Sequence, residues 1–125
     1  MGSMEFSKDN GNAAFQIKAY QNGNLIVNNK SYDFPIVVMP EHLIAPWGPT
    51  SFEALKAEHF EILLSYKPQV VLFGSGERLR FLSPKLIASL TDHQIGVEVM
   101  STSAAARTYI VLMAEGRQVA AALFV

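Results

Sequence analysis

The sequence predicts an α/β fold: a single layered domain whose mixed sheet opens with an N-terminal antiparallel meander and closes with a C-terminal βαβαβ parallel portion. Three observations predict it. Short extended segments between residues 15 and 39 are divided by polar corners, and apolar runs near residues 70, 97 and 119 alternate with helical stretches. Half of the 125 residues (50%) are hydrophobic against 17% charged, below the ~25% charged share of an ordinary globular chain, so a well-filled core is expected. The length suits one domain, placed at residues 13–125.

The extended segments come first. Phe15 to Tyr20 and Leu25 to Val27 flank Gln21-Asn22-Gly23-Asn24, where Asn-Gly supplies the positive φ of a tight hairpin. A second corner, Asn28-Asn29-Lys30, leads through Tyr32 to the strand Phe34 to Met39, whose Ile36, Val37 and Val38 are β-branched and apolar. Pro35 lacks an amide hydrogen and belongs at the strand entrance or on an edge, while Leu43 to Trp47 reads as a short strand or an extended loop. In Thr50-Ser51-Phe52-Glu53 the pattern of a capping box predicts a helix that runs to just before Pro68, with Phe52, Leu55, His59, Ile62, Leu63 and Tyr66 on its apolar face.

Val70-Val71-Leu72-Phe73 is a short apolar run closed by Gly74-Ser75-Gly76, as expected of a strand covered on both faces. Ser83-Pro84 marks the start of a helix that buries Leu86, Ile87 and Leu90 and stops at Gly96. Val97 to Met100 is the next strand. Ser101-Thr102-Ser103 caps a helix from Ala104 to about Glu115, ended by Gly116, and Val119 to Val125 is apolar enough for a central strand. Strands separated by helices in this order are two right-handed βαβ units.

Composition excludes several functions. Eleven acidic and ten basic residues give a net charge of -1, with no cationic excess for nucleic acid or anionic lipid. The absence of cysteine removes disulfides, thiolate metal sites and Cys nucleophiles. His42, His59 and His93 lack metal-ligand spacing, so no metal and no cofactor is expected, and no catalytic residue is assigned. No export signal and no apolar run near the ~20 residues of a membrane span is present, which places the protein in the cytoplasm. Residues 1–12 read as a disordered tail, with Met1-Gly2-Ser3 a cloning remnant ahead of Met4. The apolar last strand and the scarcity of charge for covering an edge predict a homodimer.

The candidate ligand site is assembled from loops. Gly74, Ser75 and Gly76 follow a strand, where a glycine turn lets backbone amides approach an anion. The spacing completes neither a dinucleotide fingerprint nor a phosphate loop, because Leu79 stands where a third glycine belongs. Arg78 and Arg80 follow this turn, and Arg107 follows Thr102 and Ser103 at the next helix start. Loops after adjacent parallel strands emerge at one edge, so these groups are expected to converge on a carboxylate or phosphate. Two other readings stand beside it: ordinary surface and turn residues, or a docking rim on which the arginines and Trp47 anchor a protein.

The segments Ile36-Val-Val-Met-Pro40, Pro46-Trp47, Leu72-Phe-Gly-Ser-Gly76, Gly96-Val-Glu-Val-Met100, Ala106-Arg-Thr-Tyr109 and Ala114-Glu-Gly-Arg117 together resemble one small family. It comprises bacterial and archaeal single domains whose mitochondrial relatives include an assembly factor of respiratory complex I, the NADH:ubiquinone oxidoreductase. The resemblance runs from about Phe15 to the C-terminus and implies an α/β layered domain. It further implies a non-enzymatic protein-interaction domain that assists assembly of a respiratory complex, with its subunits as partners. The alternative is a small-molecule domain binding an anionic metabolite or nucleotide at the glycine rim. Two positions depart from the family pattern: Ser75 replaces a threonine in Gly-Thr-Gly, and Ile110 stands where asparagine is frequent.

Overall fold

The corner Asn22-Gly23 holds both residues at positive φ (54° and 75°), so β1 (Ile17–Gln21) turns back directly onto β2 (Asn24–Val27) in the geometry that matches strand twist. A computed structural model describes residues 13–125; the expected tail at 1–12 lies outside the described residues. At the second corner Asn28 is left-handed (φ 57°), and its side chain accepts the Gln16 N–H and donates to the Ala14 carbonyl. β3 (Lys30–Tyr32) completes a three-stranded antiparallel sheet in the order β1-β2-β3.

The meander ends there, not at Met39. After Pro35 the chain crosses to a second sheet, where β4 (Ile36–Val38) is buried throughout. An Ile-Val-Val run needs cover on both faces, which the small sheet does not offer. β4 pairs antiparallel with β5 (Leu43–Ile44) and with β8 (Val119–Leu123), and β6 (Val70–Gly74) runs parallel to both β8 and β7 (Gly96–Met100). The mixed sheet has the order β5-β4-β8-β6-β7. β8 is therefore interior and paired on both sides, so the apolar last strand presents no edge to a second copy. That removes one ground for the expected homodimer.

The helix expected from Thr50 to Pro68 is broken. A 3-10 turn covers Phe52–Ala54, α1 covers only Ala57–Glu61, and a second 3-10 stretch covers Ile62–Tyr66. No side-chain cap forms at Ser51; Leu55 and Lys56 are extended, and the chain restarts where the Lys56 N–H donates to His59 Nδ1 at 2.9 Å. Glu53 turns away to bind Arg80. The break rotates the apolar residues apart: Leu55, Phe60 and Leu63 are buried, whereas Ile62 and Tyr66 are exposed. The next helix, α2 (Ala88–Asp92), starts later than Ser83-Pro84 because residues 83–87 close only turn hydrogen bonds. α3 (Thr102–Ala114) is capped as expected, Ser101 Oγ accepting the Ala104 N–H.

Two cores flank the five-stranded sheet. One joins α3 and the small sheet, with Tyr109, Leu72 and Ala121; the other lies beneath α1 and α2, with Phe60, Phe73 and Ala122. The short side chains of β8 leave room for the aromatic rings of this second core. Tyr109 is fully buried, its hydroxyl donating to the Phe15 carbonyl at 2.8 Å, and burial drives its phenol far above the ordinary range. Tyr109→Phe is expected to lower stability by about 1 kcal/mol in urea unfolding, the worth of one such bond, without changing the fold.

Candidate functional site

At the carboxyl end of the parallel strands, Gly74 lies level with Met100 on β7 and Leu123 on β8. The two corners expected to meet are laced together here. The Ser75 N–H donates to the Met100 carbonyl, the Thr102 N–H to the Gly76 carbonyl and the Phe124 N–H to the Gly74 carbonyl, each at 2.9 Å. Thr102 Oγ1 accepts the Gly76 N–H at 2.8 Å and donates to the Phe124 carbonyl at 2.6 Å. Buried and doubly bonded, that hydroxyl serves the fold and leaves no hydrogen for a ligand.

Ser75 is committed in the same way. Its Oγ donates to the Arg78 carbonyl at 2.6 Å and accepts the Arg80 N–H at 3.0 Å, closing the loop on itself. The Arg80 guanidinium binds Glu53 at 2.7 Å and lies 3.9 Å above the Phe52 ring, a cation–π contact. Its hydrogen bond holds the exposed Glu53 carboxyl below the usual carboxylate range. This strap is accordingly present at neutral pH and is lost as pH falls through that lowered value.

A cleft of about 290 Å³ opens at this corner, bounded by Gly23, Gly76, Glu77 and Arg78 among others. Glu77 places a negative charge beside Arg78, which works against an anion. Arg107 does not join it. With Ser103, whose Oγ accepts the Arg107 Nη1–H at 2.8 Å, it lines a separate cleft against β1. The expected convergence of three guanidiniums is thus replaced by two clefts that share no lining residue.

Trp47 is not at the rim. Only 4% exposed, it packs edge-on against Phe60, Phe73 and Phe124, and its Nε1–H donates to the His59 carbonyl. A ring so enclosed anchors the second core and has no face for a docking protein. What the loop does display is Leu79 at 50% and Phe81 at 75% exposure, alternating with Arg78 and Arg80. The signal in the sequence is the alternation Arg78-Leu79-Arg80-Phe81 in a stretch with no partner run to pair it. Among the described residues, no group of His, Asp and Glu gathers as a metal site, and no helix is long and apolar enough to cross a membrane.

A family model described as "Protein of unknown function (DUF498/DUF598)" matches residues 17–124. The chain belongs to this family. NADH dehydrogenase [ubiquinone] 1 alpha subcomplex assembly factor 3 of Bos taurus is 29% identical over 112 residues, covering 88% of this chain and 60% of the relative. The chain therefore spans about 60% of the length of that relative. The 13 kDa major membrane protein of Francisella tularensis is 24% identical over 103 residues, covering 82% of this chain and 84% of that one. A crystal structure from Bordetella parapertussis is 36% identical with a TM-score of 0.83, covering 90% of this chain and 96% of that chain. The solution structure of a Mth938-like domain from Bordetella pertussis is 30% identical with a TM-score of 0.76, covering 88% and 85%. The mixed α/β architecture is common to these structures and this chain.

Proposed function

We propose that the chain is a non-catalytic domain that binds other proteins and assists the assembly of a respiratory complex. The observation that carries the reading is the loop after β6, which holds Phe81 at 75% exposure and is closed by the Ser75 hydrogen bonds and the exposed Arg80–Glu53 pair. An exposed aromatic ring beside arginine is the composition of an interface hot spot. Anchoring the loop before a partner arrives reduces the ordering cost of binding. The hydroxyls of Ser75 and Thr102, on which a ligand at the glycine rim would draw, are engaged within the fold. Relatives named as assembly factors support the choice of partner class. The reading includes a cytoplasmic location, where unassembled subunits are met.

Capture from cells of the source organism tests it, with the chain compared against a Phe81→Ser, Leu79→Ser double variant. The unaltered chain is expected to recover respiratory-complex subunits. The variant should lose at least tenfold of that recovery while its melting temperature stays close, since substitutions at such exposed positions change stability by only about 0.5 kcal/mol. Equal recovery by both chains, or a fully assembled respiratory complex after deletion of the gene, would overturn the proposal.

A further inference from the structure

Between β1 and α3 lies the second cleft, of about 300 Å³, lined by Lys18, Tyr20, Ser103 and Arg107 together with apolar Ile17 and Ile110. Its geometry begins with an irregularity in β1. The pairing with β2 steps from Ile17↔Val27 to Ala19↔Ile26, leaving Lys18 as an extra residue without a partner across the strand. Such a bulge breaks the strict alternation of side chains and re-aims one of them. Here the bulged residue is a lysine on the wall that faces Arg107.

The described residues that line this cleft carry two cations and no carboxylate. Among the described residues, Lys18 Nζ bonds the neutral Gln16 Oε1 at 3.2 Å, Arg107 bonds the neutral Ser103 hydroxyl at 2.8 Å, and neither meets a carboxylate. No Asp or Glu is in the lining, and the ion pair found among the described residues lies elsewhere, at Arg80–Glu53. Tyr20 is also in the lining, and its hydroxyl is enclosed, with no hydrogen-bond partner among the described residues. Burial and the charge of Glu77 raise the Tyr20 phenol above its usual range, so it stays a donor. Unpartnered polar groups of this kind call for an explanation.

We propose that this cleft binds a small amphipathic oxyanion, its carboxylate or phosphate head between Lys18 and Arg107 and its apolar body against Ile110 and Ala19. A guanidinium fork and an ammonium are the two side-chain groups suited to such a head, the first bidentate and the second as a point charge. Ile110, 41% exposed, supplies an apolar wall at the mouth of the cleft. The volume lies near the ~300 Å³ lower bound of ligand pockets, which limits the occupant to a small molecule.

The test is a titration of the whole chain followed by amide chemical shifts, with octanoate and phenyl phosphate as probes and octanol and phenol as their uncharged counterparts. One or both anions are expected to shift the amides of Lys18, Ser103 and Arg107, and which one does so separates carboxylate from phosphate. Arg107→Gln and Lys18→Gln should each weaken that binding at least tenfold, while Arg78→Gln at the glycine corner and Phe81→Ser on the docking loop leave it unchanged. The proposal fails if neither anion shifts these amides at 10 mM (a concentration on the order of a weak ligand's Kd). It fails equally if the uncharged counterpart binds as tightly, or if Arg107→Gln, shown folded by its spectrum, binds as before.

Discussion

Gly74→Ala is expected to destabilise the domain by roughly 3 to 5 kcal/mol, a large share of the ~5 to 15 kcal/mol that holds a domain together. The cause is steric. A Cβ at position 74 would stand 2.8 Å from Leu123 Cδ2, 2.8 Å from Thr102 Oγ1 and 2.9 Å from Thr102 Cα. Leu123 can swing, but the Thr102 backbone opens α3 and is tied to Gly76 on one side and by Ser101 on the other. Overpacking of this kind costs about 1 to 3 kcal/mol. Displacing Thr102 Oγ1 adds the loss of its two buried hydrogen bonds, at roughly 1 kcal/mol or more each.

Gly76 provides the contrast. Its φ of +100° disfavours any side chain, yet a Cβ there would meet only the Val125 carbonyl at 3.9 Å. Gly76→Ala should therefore cost only the backbone strain, on the order of 1 to 2 kcal/mol. Thermal unfolding of the three chains checks the order. A loss of about 3 kcal/mol corresponds to a fall of roughly 10 °C or more for a domain of this size. A Gly74→Ala chain that melts within a few degrees of the unaltered protein would show that α3 is free to move away from β6.

This crowding explains why the glycine corner was only half legible in the sequence. That Gly74-Ser75-Gly76 ends a buried strand follows from an apolar run meeting residues without side chains. That Gly74 packs against a helix start depends on which atoms stand opposite, and Thr102 is 28 positions further along the chain. The hydroxyls of Ser75 and Thr102 pose the same difficulty. A sequence shows a donor and acceptor, but whether it is satisfied internally is decided by the tertiary fold. Trp47 was legible as a large anchor and illegible as to which side of the surface it anchors.

For the fold, the parallel half was readable because β6 and β8 are continuous apolar runs and α3 carries both a serine cap and a glycine stop. The region 50–67 was not. Its apolar residues fit a period of about 100° per residue, but Leu55 and Lys56 are extended, so the period spans a break between short helical segments that do not share one axis. The capping signal at Thr50 competed with a long-range partner, Arg80, for the carboxylate of Glu53, and the long-range partner prevailed. The bulge at Lys18 likewise has no signature in β1, since Lys-Ala-Tyr fits regular and bulged strands equally.

Thr102→Val isolates the hydroxyl that ties this rim together, and it is expected to cost about 2 to 4 kcal/mol. Valine keeps the branched Cβ of threonine and leaves no cavity, although its methyl must move back from the Phe124 oxygen and the Gly76 nitrogen, which stand at hydrogen-bond distances from Oγ1. What changes is that the Gly76 N–H and the Phe124 carbonyl both lose their partner at a position that is 0% exposed. Each buried group left unsatisfied costs roughly 1 to 3 kcal/mol. The bonds from the Thr102 N–H to Gly76 and from the Phe124 N–H to Gly74 remain, which keeps the rim assembled though weakened. Thr102→Ser retains the hydroxyl and removes one methyl, at a cost near 1 kcal/mol. Urea unfolding should therefore rank threonine above serine and serine above valine, with the Gly76 amide exchanging faster in the valine chain. If valine proves as stable as serine, the hydroxyl is not what joins β6, α3 and β8. The loop that displays Phe81 would then rest on the Ser75 bonds and the Arg80–Glu53 strap, and it would loosen in acid as Glu53 is protonated and the strap is lost.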